Sequence, residues 1–334
     1  MIDASLPKPS PEKIAAVRIG LLAWWHANHR DLPWRHTRDP YRILVSEVML
    51  QQTQVDRVIP YYERWLEAFP TVGALAEAPT AEVIRLWAGL GYNRRAVNLQ
   101  RTAQAVVARG GEFPRSVDEL RALPGIGAYT SGAIACFAFE QDVPFLDTNM
   151  RRVIHRVFVG PEVPEPLAPD RELLPVAGQV LPPGEGWIWN QALIEFGALH
   201  CTARKPLCMV CPLQRVCVAR PTIQSILATL PKGSATKKEV PFKESNRYFR
   251  GRVVDLLREQ DRAHAGLTLA ELGPQVRPEF EPGEDLPWIF EVVRGLERDG
   301  LAMIAEDVAG YDVTQSADTE PGPLDLGGVR VRLP

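Results

Sequence analysis

Amphipathic patterns with helical spacing run from about Pro11 to His29 and from Pro40 to Ala68, then through shorter segments to about Leu213. Alternating patterns of the strand type are nearly absent there. Pro and Gly in "FPTV", "EAPTAE", "GGEFP" and "LPGIG" divide this region into short helices with tight connections. Thr80 followed by Glu82, and Asp118 ahead of "ELRAL", read as helix starts. Residues 11–230 are therefore expected to form an all-α domain. The next stretch, 231–245, "PKGSATKKEVPFKES", is polar, basic and Pro-flanked, and reads as a linker. Beyond it, "NRYFRGRVVDLLREQ" predicts a helix and "LTLAELGPQV" a short second one. "PWIFEVVRGLERDGLAMIAEDVAGYDVT" predicts a longer helix running into two short strands around "EDVAG". That order, over 246–316, is the order of a small α+β winged-helix-like module, whose last helix commonly enters a DNA groove. Acidic Glu291, Glu297 and Asp299 suit phosphate poorly, and many such modules only mediate protein contacts. Residues 317–334 read as a loose tail.

Composition adds bounds. With 334 residues, 46% apolar and 24% charged, the chain has the make-up of an ordinary globular protein of two domains. No run of about 18 apolar residues is present, and "MIDASLPKPSPEK" lacks the features of a signal peptide. A cytoplasmic protein with no membrane partner is expected. The net charge of −3 excludes a simple polycation, but residues 1–230 carry 24 basic and 22 acidic side chains against 14 and 19 in 231–334. A nucleic-acid partner is allowed by this balance.

Candidate chemistry begins with "CTARKPLCMVCPLQRVC", which holds four of the five cysteines. Clustered thiols in a reducing compartment point to a metal site, either zinc or an iron-sulfur cluster, and Cys136 in "AIACFAF" reads as core. The spacing of Cys201, Cys208, Cys211 and Cys217 resembles the C-x6-C-x2-C-x5-C loop of the endonuclease III and MutY branch of helix-hairpin-helix DNA glycosylases, which binds a 4Fe-4S cluster. Arg204 and Lys205 within it would display cations toward phosphates. In "LPGIG", Gly125 and Gly127 permit a turn whose N–H groups point outward at a helix N-terminus, a place for a DNA phosphate or simply a helix corner. Asp147, in "FLDTNMRRV", taken alone is a helix cap.

The order of "LPWR", "SEVMLQQTQVDRVIPYYERW", "FPTV", "LWAGLGYNRRAVNL", "LPGIGAYTSGAI", "LDTNMRRV", "NQALIEFGALHC" and the cysteine loop makes residues 24–217 resemble MutY-type adenine DNA glycosylases. The resemblance implies a two-lobed, all-helical fold. One lobe is a bundle over about 40–144; the other is the N-terminal helix with 145–217. It also implies a monomer acting on double-stranded DNA with a mispaired base. Bifunctional members place a nucleophilic lysine two residues after the last Gly of the hairpin, where Tyr129 stands here, which implies a monofunctional enzyme. By resemblance Glu47 protonates adenine and Asp147 stabilises an oxocarbenium-like sugar, so the first must be neutral and the second ionised. Tyr129 and Asn149 would position these groups, although core packing also accounts for Tyr129. Gln51, Gln52, Leu90 and Tyr92 match the wedge that fills the space of a flipped nucleotide, and Arg94 and Arg95 offer phosphate contacts or a solvated face.

Departures from the family pattern bear on specificity. Many members carry a Nudix-like domain that recognises 8-oxoguanine. Its Phe-Ser-His loop has no match here, which implies a short form ending in the winged-helix-like module. "LGYY" reads "LGYN", with Asn93 replacing an aromatic residue. Removal of adenine opposite 8-oxoguanine or guanine is the expected activity. The alternatives are a uracil or thymine mismatch glycosylase and a non-catalytic DNA-structure binding protein.

Overall fold

The computed structural model describes residues 6, 8–163, 167–230, 241–260, 266–304 and 326–334. Its helices, in chain order, are α1 Pro11–Asn28, α2 Pro40–Leu50, α3 Val55–Ala68, α4 Val72–Glu77, α5 Thr80–Leu86, α6 Arg94–Val107, α7 Val117–Arg121, α8 Ala128–Phe139, α9 Thr148–Ile154, α10 Asp170–Val180, α11 Gly186–Leu199, α12 Ile223–Thr229, α13 Asn246–Glu259, α14 Leu269–Val276 and α15 Pro282–Arg298. Strands β1 Leu267–Thr268, β2 Met303–Ile304 and β3 Arg330–Arg332, with five short 3-10 or π-helical turns, complete the described elements. The chain is mostly helical, as its periodicity predicts.

Local chemistry sets the helix ends. Ser10 caps α1, its hydroxyl accepting from Lys13 N at 3.3 Å ahead of a proline in the first turn. The start of α7 is capped by Ser116, which accepts from Glu119 N, so Asp118 sits inside the first turn rather than at the cap. The continuous pattern from Pro40 to Ala68 is interrupted between α2 and α3, because Gln52 takes a left-handed backbone with φ of 57°. Amphipathic spacing carries across so short a break.

Two compact units result, one of Met1–Glu47 with Phe113–Ala235 and one of Val48–Glu112 with Thr236–Pro334. These boundaries differ from lobes of 40–144 and 145–217. Residues 113–139 stay with the later chain because α8 packs on α7 and α11. Almost every side chain of α8 is buried, and a Cβ on its Gly132 would lie 2.6 Å from Phe145 Cβ. In this same unit α9 and α1 pack on α11. A Cβ at Gly197 would lie 2.7 Å from Asn149 Cβ, so glycine sets how closely α9 and α11 approach.

The other unit joins α3–α6 to the C-terminal elements. Ile84 of α5 and Val97 of α6 share one core cluster with Val253, Val254, Leu257, Leu269, Val293 and Val331. The C-terminal elements are thus built onto α5 and α6. Of the two strands expected around "EDVAG", the first is β2, just before it; the second, like linker residues 231–240, lies outside the described residues. The order helix, strand, helix, helix, strand, strand forms a small α+β module, in which the short β1 was not foreseen. Its sheet has the order β1-β3-β2, antiparallel, with Leu267 opposite Val331 and Met303 opposite Arg332. The central strand, β3, comes from the stretch expected to be a loose tail, and Val331 within it is fully buried. The "VRVRL" alternation of 329–333 is the signal that marks it, masked by the Gly- and Pro-rich residues before it. Deleting residues 326–334 should therefore open the C-terminal core: hydrogen exchange in α14 and α15 should rise to near the unprotected rate while α8 and α11 keep their protection.

Candidate active site

Glu47 lies near the end of α2, a helix buried along almost its whole length, and is itself only 5% exposed. Burial pushes its carboxyl up to about 7, helped by the negative charge of Asp147; a hydrogen bond with Tyr129 and the Arg35 guanidinium pull the other way. Tyr129, on the first turn of α8, is held well above its ordinary value by the same burial and by the two carboxylates, so it stays a phenol and can donate to Glu47. It also packs edge-on against Phe145, with centroids 5.5 Å apart. Packing and polar contact thus coexist at this residue.

Asp147 is the N-cap of α9. It accepts from Met150 N at 2.6 Å and from Asn149 Nδ2 at 3.0 Å. Burial raises its carboxyl above the usual value, and these donors oppose the rise by favouring the ionised form. Asn149 is oriented in turn by Arg152, whose guanidinium donates to Asn149 Oδ1 at 2.8 Å, Gly197 O at 2.6 Å and Cys201 O at 2.7 Å. The four residues Glu47, Tyr129, Asp147 and Asn149 are therefore one connected group. It combines a carboxyl raised to about 7 with a hydrogen-bonded carboxyl, a pair of the kind that glycosidic-bond cleavage uses.

A second buried carboxylate was not anticipated. Glu195 of α11 receives Arg30 Nε at 2.8 Å and Arg35 Nη2 at 2.8 Å, and also Arg30 N. These partners outweigh burial and draw it down to about 2. Arg35 spends its remaining donors on Gln191 Oε1 and Arg30 O and lies over the Trp25 ring. Charged residues inside apolar patterns, Glu195 in "ALIEFGAL" and Arg35 after "LPW", are the signal that could have marked them.

Cys201, Cys208, Cys211 and Cys217 line one small cavity with Arg156, Phe196 and Leu213, and none is disulfide-bonded. Burial raises all four thiols, Cys211 to about 12, so metal binding must displace their protons. Arg156 lies 3.6 Å from Cys201 Sγ and would offset thiolate charge. Among the described residues no three His, Cys, Asp or Glu side chains close around a single ion. Four free thiols around one cavity are the donor set that an iron-sulfur cluster takes. Cys136, as expected, is core, with Asn190 Nδ2 3.3 Å from its sulfur.

The hairpin before α8 has Gly125 at φ 77°, and Gly127 caps the helix without any side-chain bond. A Cβ at Gly127 would meet nothing within 4 Å, so the helix N-terminus is open. Arg204 and Lys205 are exposed on the cysteine loop. In the other unit, Gln51, Gln52 and Tyr92 are exposed, and both Gln52 and Tyr92 take left-handed backbones, while Leu90 is buried. Arg95 is turned inward: it donates to Val48 O, Met49 O, Gln51 O, Leu90 O and Gly91 O and ties the two loops together. Arg94 is exposed but paired with Asp299 at 3.3 Å.

The chain is similar to known proteins over much of its length. Residues 45–175 match the HhH-GPD superfamily of base excision DNA repair proteins, and residues 201–217 match the iron-sulfur binding domain of endonuclease III. An adenine DNA glycosylase of Mycolicibacterium smegmatis is 42% identical over 243 residues, 72% of this chain and 80% of the relative. One of Mycobacterium tuberculosis is 40% identical over 279 residues, 80% and 86% of the two chains. The human adenine DNA glycosylase is 42% identical over 222 residues, 64% of this chain but 41% of its own length. Among solved structures, a thermostable thymine-DNA glycosylase aligns with a TM-score of 0.59 and 31% identity over 63% of this chain and 98% of its own. The four cysteines are the residues that would hold the 4Fe-4S cluster of this domain.

The raised Glu47 carboxyl has a consequence for stability. Its folded value lies above its ordinary 4.5, so the associated stability is fully present below pH 4.5 and is lost as pH rises through about 7. Glu47→Gln should accordingly stabilise the protein by about 1–3 kcal/mol at pH 8 and by much less at pH 5, measured by denaturant melts at the two values.

Proposed function

Because the chain belongs to the adenine DNA glycosylase family of base excision repair enzymes, we propose that it removes adenine mispaired with 8-oxoguanine or guanine, using Glu47 and Asp147. The observation that carries this reading is the pairing of two carboxyls that burial raises unequally: Glu47, beside a phenol, is pushed up to about 7, while backbone and amide donors at Asp147 oppose the rise and favour its charge. Two adjacent carboxyls in one environment would compete for a proton; different environments divide the work.

In the proposed reaction the Glu47 carboxyl gives its proton to N7 of the flipped adenine. The bond between N9 and C1′ then breaks, and its electron pair leaves with the neutral base. Asp147 faces the electron-poor sugar, stabilised as a carboxylate by Met150 N and Asn149 Nδ2. Water adds hydroxide to C1′, returns a proton to Glu47 and leaves an abasic site. With Tyr129 at the position where bifunctional relatives have lysine, no amine is available to form a Schiff base there. When bound, the 4Fe-4S cluster supplies a fourfold covalent cross-link of the loop that presents Arg204 and Lys205 to the DNA backbone.

Gly125 and Gly127 receive a phosphate on the open N-terminus of α8, a contact without sequence preference. Gln51, Gln52 and Tyr92 act as the wedge, with Leu90 supporting them from the core. The strained backbones of Gln52 and Tyr92, at about 1–3 kcal/mol each, suit loops held for insertion into a base stack. Arg94 reaches a phosphate once its weak exposed pair with Asp299 opens. The enzyme acts as a cytoplasmic monomer on double-stranded DNA.

Single-turnover base release from duplexes with A opposite 8-oxoguanine, G or T, and with U or T opposite G, tests the assignment. Adenine release confined to the first two is expected; release of U or T would place the chain with pyrimidine glycosylases. Glu47→Gln and Asp147→Asn should each lower release at least about 100-fold. The wild-type rate should fall above about pH 7 as Glu47 loses its proton. Gly127→Ala should leave the melting temperature unchanged and weaken DNA affinity, because the added methyl meets solvent in the free protein and phosphate in the complex.

A further inference from the structure

Within the unit of Val48–Glu112 and Thr236–Pro334, a cleft of about 720 Å³ lies between the loop around Tyr92 and helix α13. The adenine chemistry leaves it unused. Its arginines are mostly committed: Arg94 and Arg250 pair with Asp299, and Arg258 donates to Asp255, Ile84 O and Asn93 Oδ1. The bond at 2.9 Å from Arg258 explains why asparagine at 93 is useful here, since it locks the Tyr92 loop to α13.

Arg247 differs. Its guanidinium lies 4.3 Å from the Tyr92 ring centroid and 5.7 Å from that of Phe242, and among the described residues it has no carboxylate or carbonyl partner. Those rings are 45% and 61% exposed, so a cation held only by aromatic faces is open to an incoming acceptor. The cleft wall carries a further mark. Gly251 stands inside α13, where glycine disfavours the helix, and a Cβ there would meet nothing within 4 Å. Packing does not require glycine at this position, and the position lines the cleft.

Exposed rings beside a guanidinium are how proteins hold an unstacked base, and a guanidinium lying on those rings can donate to O6, an acceptor that guanine and 8-oxoguanine share. We propose that this cleft receives the purine left unpaired when adenine is flipped, stacked on Tyr92 and Phe242 and read by Arg247. The placement rests on the wedge role of Tyr92, which sets the cleft beside the disrupted pair. Phe242, Arg247 and Gly251 then serve as opposite-base specificity residues supplied by the C-terminal part of the chain.

The test is binding of the full-length protein, at fixed salt, to duplexes carrying a tetrahydrofuran in place of the adenosine, opposite G, 8-oxoguanine, C or a second tetrahydrofuran. Wild type should bind the two purine duplexes about tenfold or more tighter than the duplex without an opposite base. Arg247→Ala, and Gly251→Leu with an unchanged melting temperature, should bring the four affinities to within about twofold. Arg247→Lys should also lose the preference, since an ammonium cannot lie flat on the two rings while it donates. Retained purine preference in Arg247→Ala and Gly251→Leu would overturn the proposal. So would an equal loss on all four duplexes, which would mark a backbone contact. If wild type binds with purine preference yet releases no adenine, the glycosylase reading fails while this series still decides the cleft.

Discussion

A carboxyl group taken out of water must either be paired with cations or keep its proton, and that constraint organises the candidate active site. Glu195 and Glu47 are both buried, and they take the two different ways out. Two guanidiniums hold Glu195 ionised, near 2. Glu47 has a phenol and another carboxylate for neighbours and rests near 7. Arg35 could have collapsed the difference, since its charge is felt at Glu47. Its donors, however, are spent on Glu195, Gln191 and Arg30 O, so it acts on Glu47 only through space. An ion pair that looks like ordinary core stabilisation thus leaves the Glu47 carboxyl raised to about 7.

The second organising group is Arg152. One guanidinium reaches Asn149 Oδ1, the carbonyl of Gly197 and the carbonyl of Cys201, so the helix capped by Asp147 and the loop of the cysteines share a fastening. Gly197 makes this possible, because any Cβ would drive α9 and α11 apart. The cysteines lie far in sequence from Glu47 and contribute no group to the acid pair. Their contribution is to the frame.

Much of this was legible in the chain, for reasons that differ by residue. The helices of the first 230 residues follow from apolar spacing and from Pro and Gly punctuation, both local signals. The cysteines announce themselves by composition and spacing, and Glu47, Asp147, Tyr129 and Asn149 by their place in motifs. Arg30, Arg35, Gln191 and Glu195 were invisible because their partners lie some 160 residues apart and nothing local pairs them. β3 was missed because a strand of three residues carries too little alternation to be heard after a Gly- and Pro-rich stretch. Arg95 looked like a phosphate contact beside Arg94; only the fold shows that it faces inward and holds five carbonyls.

The proton on Glu47 is the claim from which the rest follows, and it can be observed without turnover. Infrared difference spectra of wild type against Glu47→Gln, recorded across pH 4–9, isolate the carbonyl stretch of one protonated carboxyl. The account predicts that this band persists through the ordinary carboxylate range and titrates with a midpoint near 7. A band already lost by pH 5 would show Glu47 ionised at working pH and would contradict its proposed role as the acid.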